Sequence, residues 1–399
     1  MDFSLNEDQK AIKDLANQIF SDRSTDNFLL EFSRNQEAYD NTLWDTLGQQ
    51  GLLGISIPDD FGGAGLGLIE TCLVLEEQGR CVSPVPLFSS LILGAMPITK
   101  YGTQNQKEKI LSCLANGDLK LTAAISEIAM PSAIAKGINA RKTEFGWVLN
   151  GSLDCIQDGA VADYILTPAT HEDGEESIFI IKTDTTNADL QPQDISLLGP
   201  WSASLSLEDM PVNPADLLGE VGQGKDIVDY IEKIANVGQC ALQTGVCEEA
   251  MRRTAAYTSE REQFGVPIGS FQALAMRMAD SYIDVEAMRS TFWLALWRLN
   301  EGLPADAEIR AAKWWACEGA HRVVHTAQHL HAGIGADIEY PIHRFYLWAK
   351  YLSYSLGNSS YQLEKLGELL ASDDFVGYSA ISVDDISEKK PIQKLLVGS

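Results

Sequence analysis

The chain has 399 residues, 45% hydrophobic and 22% charged, a globular composition too long for one simple core and suited to two or three domains. Thirty Lys and Arg against 56 Asp and Glu leave a net charge of −26. A field of that sign repels nucleic-acid phosphates and anionic membranes and argues against both as partners. Seven scattered cysteines with no CxxC pair and no His–Cys cluster point away from zinc and dithiol chemistry, so no metal is expected, and they suit the reduced thiols of a cytoplasmic protein. The polar start MDFSLNEDQKAIKD has no apolar signal core, and no run approaches the roughly 18 apolar residues of a membrane span.

In chain order, Ser4 and Glu7 form a capping-box pattern, and Ile12, Leu15, Ala16, Ile19 and Phe20 follow at helical spacing. Helical patterns recur to about residue 118. The glycine-rich PDDFGGAGLG (58–67) interrupts them without a strand before it, and so reads as a turn between helices, not a dinucleotide fingerprint. From about 120 the pattern changes. Asn150-Gly151 predicts a two-residue hairpin, and ADYILTPAT and SIFIIKTD flank a second, slightly longer turn at Glu172-Asp173-Gly174. The segment to about 218 is read as antiparallel sheet.

Gly222-Gln223-Gly224 marks a return to helix. Leu274, Met278, Tyr282, Val285 and Met288 share one helical face, and Trp293, Trp297, Trp314 and Trp315 add bulk for a bundle. The predicted organisation is an α+β protein with an all-α domain (1–118), a middle β-domain (119–220), a C-terminal helical bundle (221–370) and a polar tail (371–399). Tyr340 to Leu363 contains no Asp or Glu, unusual in so acidic a chain, although a buried helix broken at Gly357 and Asn358 would account for it.

Two stretches suggest chemistry. Arg261, in SEREQFG (259–265), is either a surface arginine or a guanidinium fork for a pyrophosphate. In HLHAGIGADIEYPIHR (329–344), Gly333 and Gly335 would let backbone approach an anion, or simply make a turn. His329 and His331, two apart, face different sides of a helix and do not form a metal pair. No nucleophile elbow, P-loop or HExxH is present.

Taken together, MDFSLNEDQ, Trp44 followed by GLLGISIPDDFGGAGLG, LVLEEQGR (73–80), EREQFG (260–265) and HAGIGADIEYPIHR resemble the acyl-CoA dehydrogenase family over roughly residues 1–368, and within it the bacterial branch that includes enzymes of bulky steroid side-chain thioesters. The resemblance implies a helical domain, a small β-domain and a four-helix bundle. It also implies FAD as cofactor, an acyl-CoA substrate, a carboxylate that removes the α-proton while flavin N5 takes the β-hydride, and an electron-transfer flavoprotein as acceptor.

Laid on this chain, the family's glutamate motif falls on SLGNS (355–359), with Leu356 in the glutamate's place. The alternative base position falls on Ala235, followed by Asn236. Neither can accept a proton. Glu232, one helical turn earlier, is the fallback base. The family's flavin loop becomes SEIAMPS (126–132), without glycine until Gly137, and the Trp and Thr usually packed on the flavin ring fall on Cys155 and Gln157. By contrast, the motifs that complete a neighbouring subunit's FAD largely survive as Arg261, Gln272, His329 and Gly333, although His329 replaces a Gln and Ala332 a Gly.

The reading that joins these facts is a companion subunit in an α2β2 heteromer, completing the FAD site of a homologous catalytic partner. The alternatives are a self-sufficient homomeric dehydrogenase with a displaced base, and a non-redox CoA-ligand-binding or scaffold protein.

Overall fold

The first helix, α1 (Glu7–Arg23), begins two residues later than the Ser4/Glu7 pattern suggests. Asn6 is the cap: its side chain accepts from the Gln9 backbone, and Gln9 reaches back to Asn6. The box is real but belongs to Asn6 and Gln9, because Asn caps as well as Ser and Gln serves as well as Glu. Ala16 and Phe20 of α1 are fully buried, while Ile12, Leu15 and Ile19 pack at the core's edge. This computed structural model describes residues 4–35, 37–125, 137–193 and 202–372.

The N-terminal region continues with α2 (Asp26–Asn35), α3 (Asn41–Gln49), α4 (Leu68–Cys81), a wide-turned segment Ser89–Ala95 running into α5 (Met96–Tyr101), and the short α6 (Gln104–Gln106) and α7 (Ser112–Ala115). PDDFGGAGLG is the expected turn between helices. Gly62 and Gly65 have positive φ, and a Cβ at Gly63 would lie 2.0 Å from the Ile57 carbonyl oxygen.

The sheet runs in the order β6-β7-β3-β2-β4-β5-β8, with β1 added beside β4. Its strands are β1 (Leu121–Ala123), β2 (Ile138–Lys142), β3 (Trp147–Gln157), β4 (Tyr164–His171), β5 (Glu176–Lys182), β6 (Ala188–Gln193), β7 (Ser202–Val212) and β8 (Leu217–Leu218). The expected hairpin at Glu172–Gly174 is present, closed by Gly174 N–H to His171 O at 3.0 Å. The expected turn at Asn150-Gly151 is not. That pair lies inside β3, where the register against β7 shifts, and Gly151 takes a φ of +137°. Asn150 hydrogen-bonds the backbone and side chain of Asp209 across the bulge. The β2–β3 turn instead falls at Thr143–Gly146. Nor is the sheet wholly antiparallel, since β4 pairs in parallel with both β1 and β2.

The C-terminal region holds α8 (Gly224–Glu260), a two-strand ribbon of β9 (Glu262–Gln263) and β10 (Val266–Pro267), α9 (Gln272–Asn300), α10 (Asp306–Leu330), α11 (Ile342–Tyr354) and α12 (Ser359–Ala371). α10 packs against α8, α9, α11 and α12. The bundle and the N-terminal helices share one apolar core, while the sheet has a second. Two glycines let α4 and α8 touch: a Cβ at Gly79 would sit 2.1 Å from the Leu242 carbonyl, and one at Gly245 1.9 Å from that of Glu76.

The apolar stripe expected along α9 is buried only in its second half. Val285 and Met288 are in the core, but Tyr282 is 57% exposed, and the neighbouring Met276 and Ile283 are 61% and 62% exposed. The first turns of α9 thus offer an apolar face that the described chain leaves uncovered. The tail expected from 371 lies, beyond Ser372, outside the described residues.

Candidate active site and partner-facing site

The two places where a base is missing are both interior. Ala235 is fully buried on α8, and Leu356 is 8% exposed with a φ of +56°, an uncommon conformation for a branched side chain. The loop between α11 and α12 is held there by side chains. Gln362, wholly buried, donates to the carbonyls of Leu356 and Gly357 at 3.1 and 3.3 Å, and Arg310 donates to its Oε1 at 3.1 Å.

The same Arg310 nitrogen reaches Glu232 Oε1 at 2.7 Å, so the fallback base is the end of a structural relay that runs Glu232–Arg310–Gln362 to the loop. The Glu232 carboxylate is therefore already engaged by a guanidinium. On the other side, Gln239 donates to Ser355 Oγ at 2.8 Å, and the buried Lys313 ammonium donates to Gln239 Oε1 at 2.6 Å and to the Leu352 carbonyl at 2.7 Å. Gln239, Lys313 and Gln362 were not identifiable from the sequence, because they fix backbone that only the fold brings to them.

An open groove of about 610 Å³ lies against Leu68, Lys100, Tyr101, Tyr230, Lys233 and Ile234, the last being the residue before Ala235 in sequence. Lys100 stands 3.8 Å over the Tyr230 ring, while Lys233 is pinned by Asp229 and Asp306 at 2.9 Å each.

The positions that the resemblance assigns to this chain's own flavin make other contacts. The Cys155 N–H is taken by Gln193 Oε1 at 2.7 Å, and the Gln157 carbonyl accepts from Thr122 Oγ1 at 2.7 Å. SEIAMPS (126–132) lies outside the described residues. On the described side, then, this half of a flavin site is a poor fit, with one strand N–H already used and Cys and Gln where the flavin-packing Trp and Thr would stand.

The second group has a different character. Arg261, Gln272, His329 and Gly333 are all exposed, and a Cβ at Gly333 would meet nothing within 4 Å. Arg261 caps the end of α8 with its N–H on Tyr257 O (2.9 Å), and Gln272 opens α9. The α8 end and the turn after α10 are joined by an aromatic stack, in which the buried His331 lies on Tyr257 with centroids 4.4 Å apart and planes at 22°. His331 Nδ1 donates to Ala327 O at 2.8 Å, and burial lowers its pKa, so it packs as a neutral ring. Gln328 donates to the Gly335 carbonyl and closes the turn from below. A second open groove, about 400 Å³, runs between the α8 end and α9 past Ala255, Thr258, Ser259, Pro267, Leu274 and Met278. Exposed Arg, Gln and His side chains and an open glycine are groups whose chemistry suits an external phosphate-bearing group.

Residues 6–118 match the acyl-CoA dehydrogenase N-terminal domain model, and residues 231–371 match the C-terminal domain model of the same family. The chain is 32% identical over 380 residues to acyl-CoA dehydrogenase FadE27 of Mycobacterium tuberculosis, covering 93% of this chain and 99% of that protein. Among solved structures it is similar to the ChsE4-ChsE5 complex from Mycobacterium tuberculosis (TM-score 0.88, 32% identity, 94% of this chain and 100% of that one). It is also similar to a variant of the Tcur3481-Tcur3483 steroid ACAD (TM-score 0.83, 38% identity, 92% and 99% covered). The fold and these matches define a flavin-dependent oxidoreductase. The chain belongs to the acyl-CoA dehydrogenase family.

Proposed function

We propose that this chain is the companion subunit of a heteromeric acyl-CoA dehydrogenase, completing the FAD site of a homologous subunit that carries the catalytic glutamate. The observation that carries the reading is a contrast of exposure. The residues suited to a neighbour's cofactor, Arg261, Gln272, His329 and Gly333, face outward. The places for this chain's own base hold Leu356 and Ala235, and Glu232 is engaged by Arg310.

The uncovered apolar start of α9, beside those residues in sequence, suits a subunit contact. One of the similar structures is the complex of ChsE4 with ChsE5, and another bears the paired name of a steroid ACAD. Both accord with a partner subunit, and the steroid named in the second accords with a bulky, steroid side-chain-like acyl group. Seven free cysteines accord with work in the cytoplasm, and no helix among the described residues is long and apolar enough to cross a membrane. The electron acceptor in this reading is an electron-transfer flavoprotein.

Bound FAD would supply the hydride acceptor. This chain's Arg261, Gln272 and His329 would bind and orient the cofactor's phosphate-bearing part, with Gly333 leaving room for its approach.

The test is flavin absorbance per chain, for the protein purified alone and after co-expression with a homologous chain that carries the glutamate. The expected result is little flavin alone, about one FAD per heterodimer together, and turnover by the heteromer that survives Glu232→Gln. One FAD per chain when pure, with turnover abolished by Glu232→Gln, would establish a self-sufficient enzyme instead. No FAD in either preparation would leave a CoA-ligand-binding or scaffold role.

A further inference from the structure

The segment HRVVHTAQH puts His321, His325 and His329 at i, i+4 and i+8 of α10, on one face of the helix, and all three are exposed. Three of the chain's six histidines therefore line a single face. The first two are already in contact, with ring centroids 4.2 Å apart at 50°. α11 lies alongside: the Tyr346 hydroxyl is 3.4 Å from His325 Nε2, and the Lys350 amine is against His321 Nδ1.

We propose that His321 and His325 form a binding site for a divalent transition-metal ion of the zinc, nickel or copper class, with Tyr346 beside it and water filling the remaining positions. Imidazoles one helical turn apart present two nitrogens to the same point, the arrangement that helical His pairs use for such ions.

Both rings are pushed below the ordinary histidine range, first by partial burial and then by neighbouring positive charge from Lys350 and, for His325, from His321. They are therefore neutral, with lone pairs available, at neutral pH. Glu318 and Arg322 both act on His321 with opposite charges, and Arg322 is already paired with Asp284, which leaves Glu318 as the negative charge that favours a cation.

The site is a two-histidine one. Among the described residues no group of three or more His, Cys, Asp or Glu converges on a metal position. Lys350 is the competitor, since its amine must leave Nδ1 before His321 can ligate through that nitrogen. The side chain is long and partly exposed, so displacement is easy, and its removal should help the metal. His329, one turn further on, belongs to the partner-facing group and is not part of the pair.

The experiment is calorimetric titration of the full-length chain with Zn²⁺ and separately with Ni²⁺ at about pH 7.5. One ion per chain is expected. His325→Ala and His321→Ala should each weaken binding at least about tenfold, the loss expected when a ligand is removed. Lys350→Met should tighten it, and binding should weaken as the pH falls and the imidazoles take up protons. His325→Gln, with its thermal unfolding measured, guards against a folding artefact.

No binding by the wild type and by Lys350→Met would overturn the proposal. So would equal binding by wild type and both alanine variants, which would place the ion elsewhere. The result does not depend on whether the chain is a companion subunit, because the titration involves neither FAD nor a partner.

Discussion

Asp158 sits where the Ser89–Ala95 segment, the end of β3 and α11 come together. Its Oδ2 accepts from Ser89 Oγ at 2.6 Å, and the Tyr351 phenol, hydrogen-bonded to Ser202, lies near enough to feel its charge. Burial raises its pKa from 3.8 to about 7, the Ser89 hydrogen bond pulling only partly the other way. A carboxyl whose folded pKa lies above its unfolded value binds more protons when folded, so stability falls as pH rises through the window from about 4 to about 7. A displacement of that size corresponds to about 4 kcal/mol, an upper figure, lost in full above about pH 7 and untouched below about pH 4. Asp158→Asn keeps an acceptor for Ser89 and removes the charge. It should therefore raise the urea midpoint strongly at about pH 8 and hardly at about pH 4.5. Equal shifts at both would mean the carboxyl is not the buried acid described. Arg344 poses a similar problem with the opposite sign of charge: its three guanidinium nitrogens are buried without a hydrogen-bond partner among the described residues, and burial lowers its pKa.

At the scale of elements, α8 is a 37-residue helix in which Gly238 and Gly245 would ordinarily weaken the structure. Gly245 is there because α4 passes so close that any side chain would enter the Glu76 carbonyl. Gly245→Ala gains up to about 1 kcal/mol of helix propensity but must push two packed helices apart, a change that typically costs about 1–3 kcal/mol or more. The net effect should be destabilising and visible as a lower thermal midpoint. An unchanged or higher midpoint would mean that α4 and α8 do not touch there. α4 also carries ionic links on buried carboxylates, since Glu76 meets Arg289 of α9 at 2.8 Å and Glu77 meets Arg80 of its own helix at 2.5 Å. Removal of one partner would strand a buried charge.

For the whole molecule, the exposed start of α9 and the turn before it present Phe264, Met276 and Ile283, each more than 60% exposed, on a chain otherwise strongly acidic. Such a surface is a usual sign of association. Ile283→Asp combined with Met276→Asp should leave circular dichroism and thermal unfolding of the isolated chain unchanged. It should abolish co-purification with the partner and, with it, the flavin absorbance. Retained association would mean that the subunits meet through another face.

The sequence by itself determined the order helical–sheet–helical, the family resemblance and the absence of a carboxylate at two positions, because these depend on periodicity and residue type along the chain. It did not determine which turn Asn150-Gly151 makes: the dipeptide's tolerance of positive φ suits a bulge as well as a hairpin, and pairing with β7 decides between them. It also left open how much of the α9 stripe is covered, since periodicity shows which face is apolar but not what packs on it. Whether Glu232 is free was likewise beyond the sequence, as Arg310 lies 78 residues away. The contact of His321 with His325 was nearly visible as a four-residue spacing, yet the approach of Tyr346 and Lys350 came only with α11. Properties set by neighbours in the chain were legible, and properties set by neighbours in space were decided by the tertiary structure.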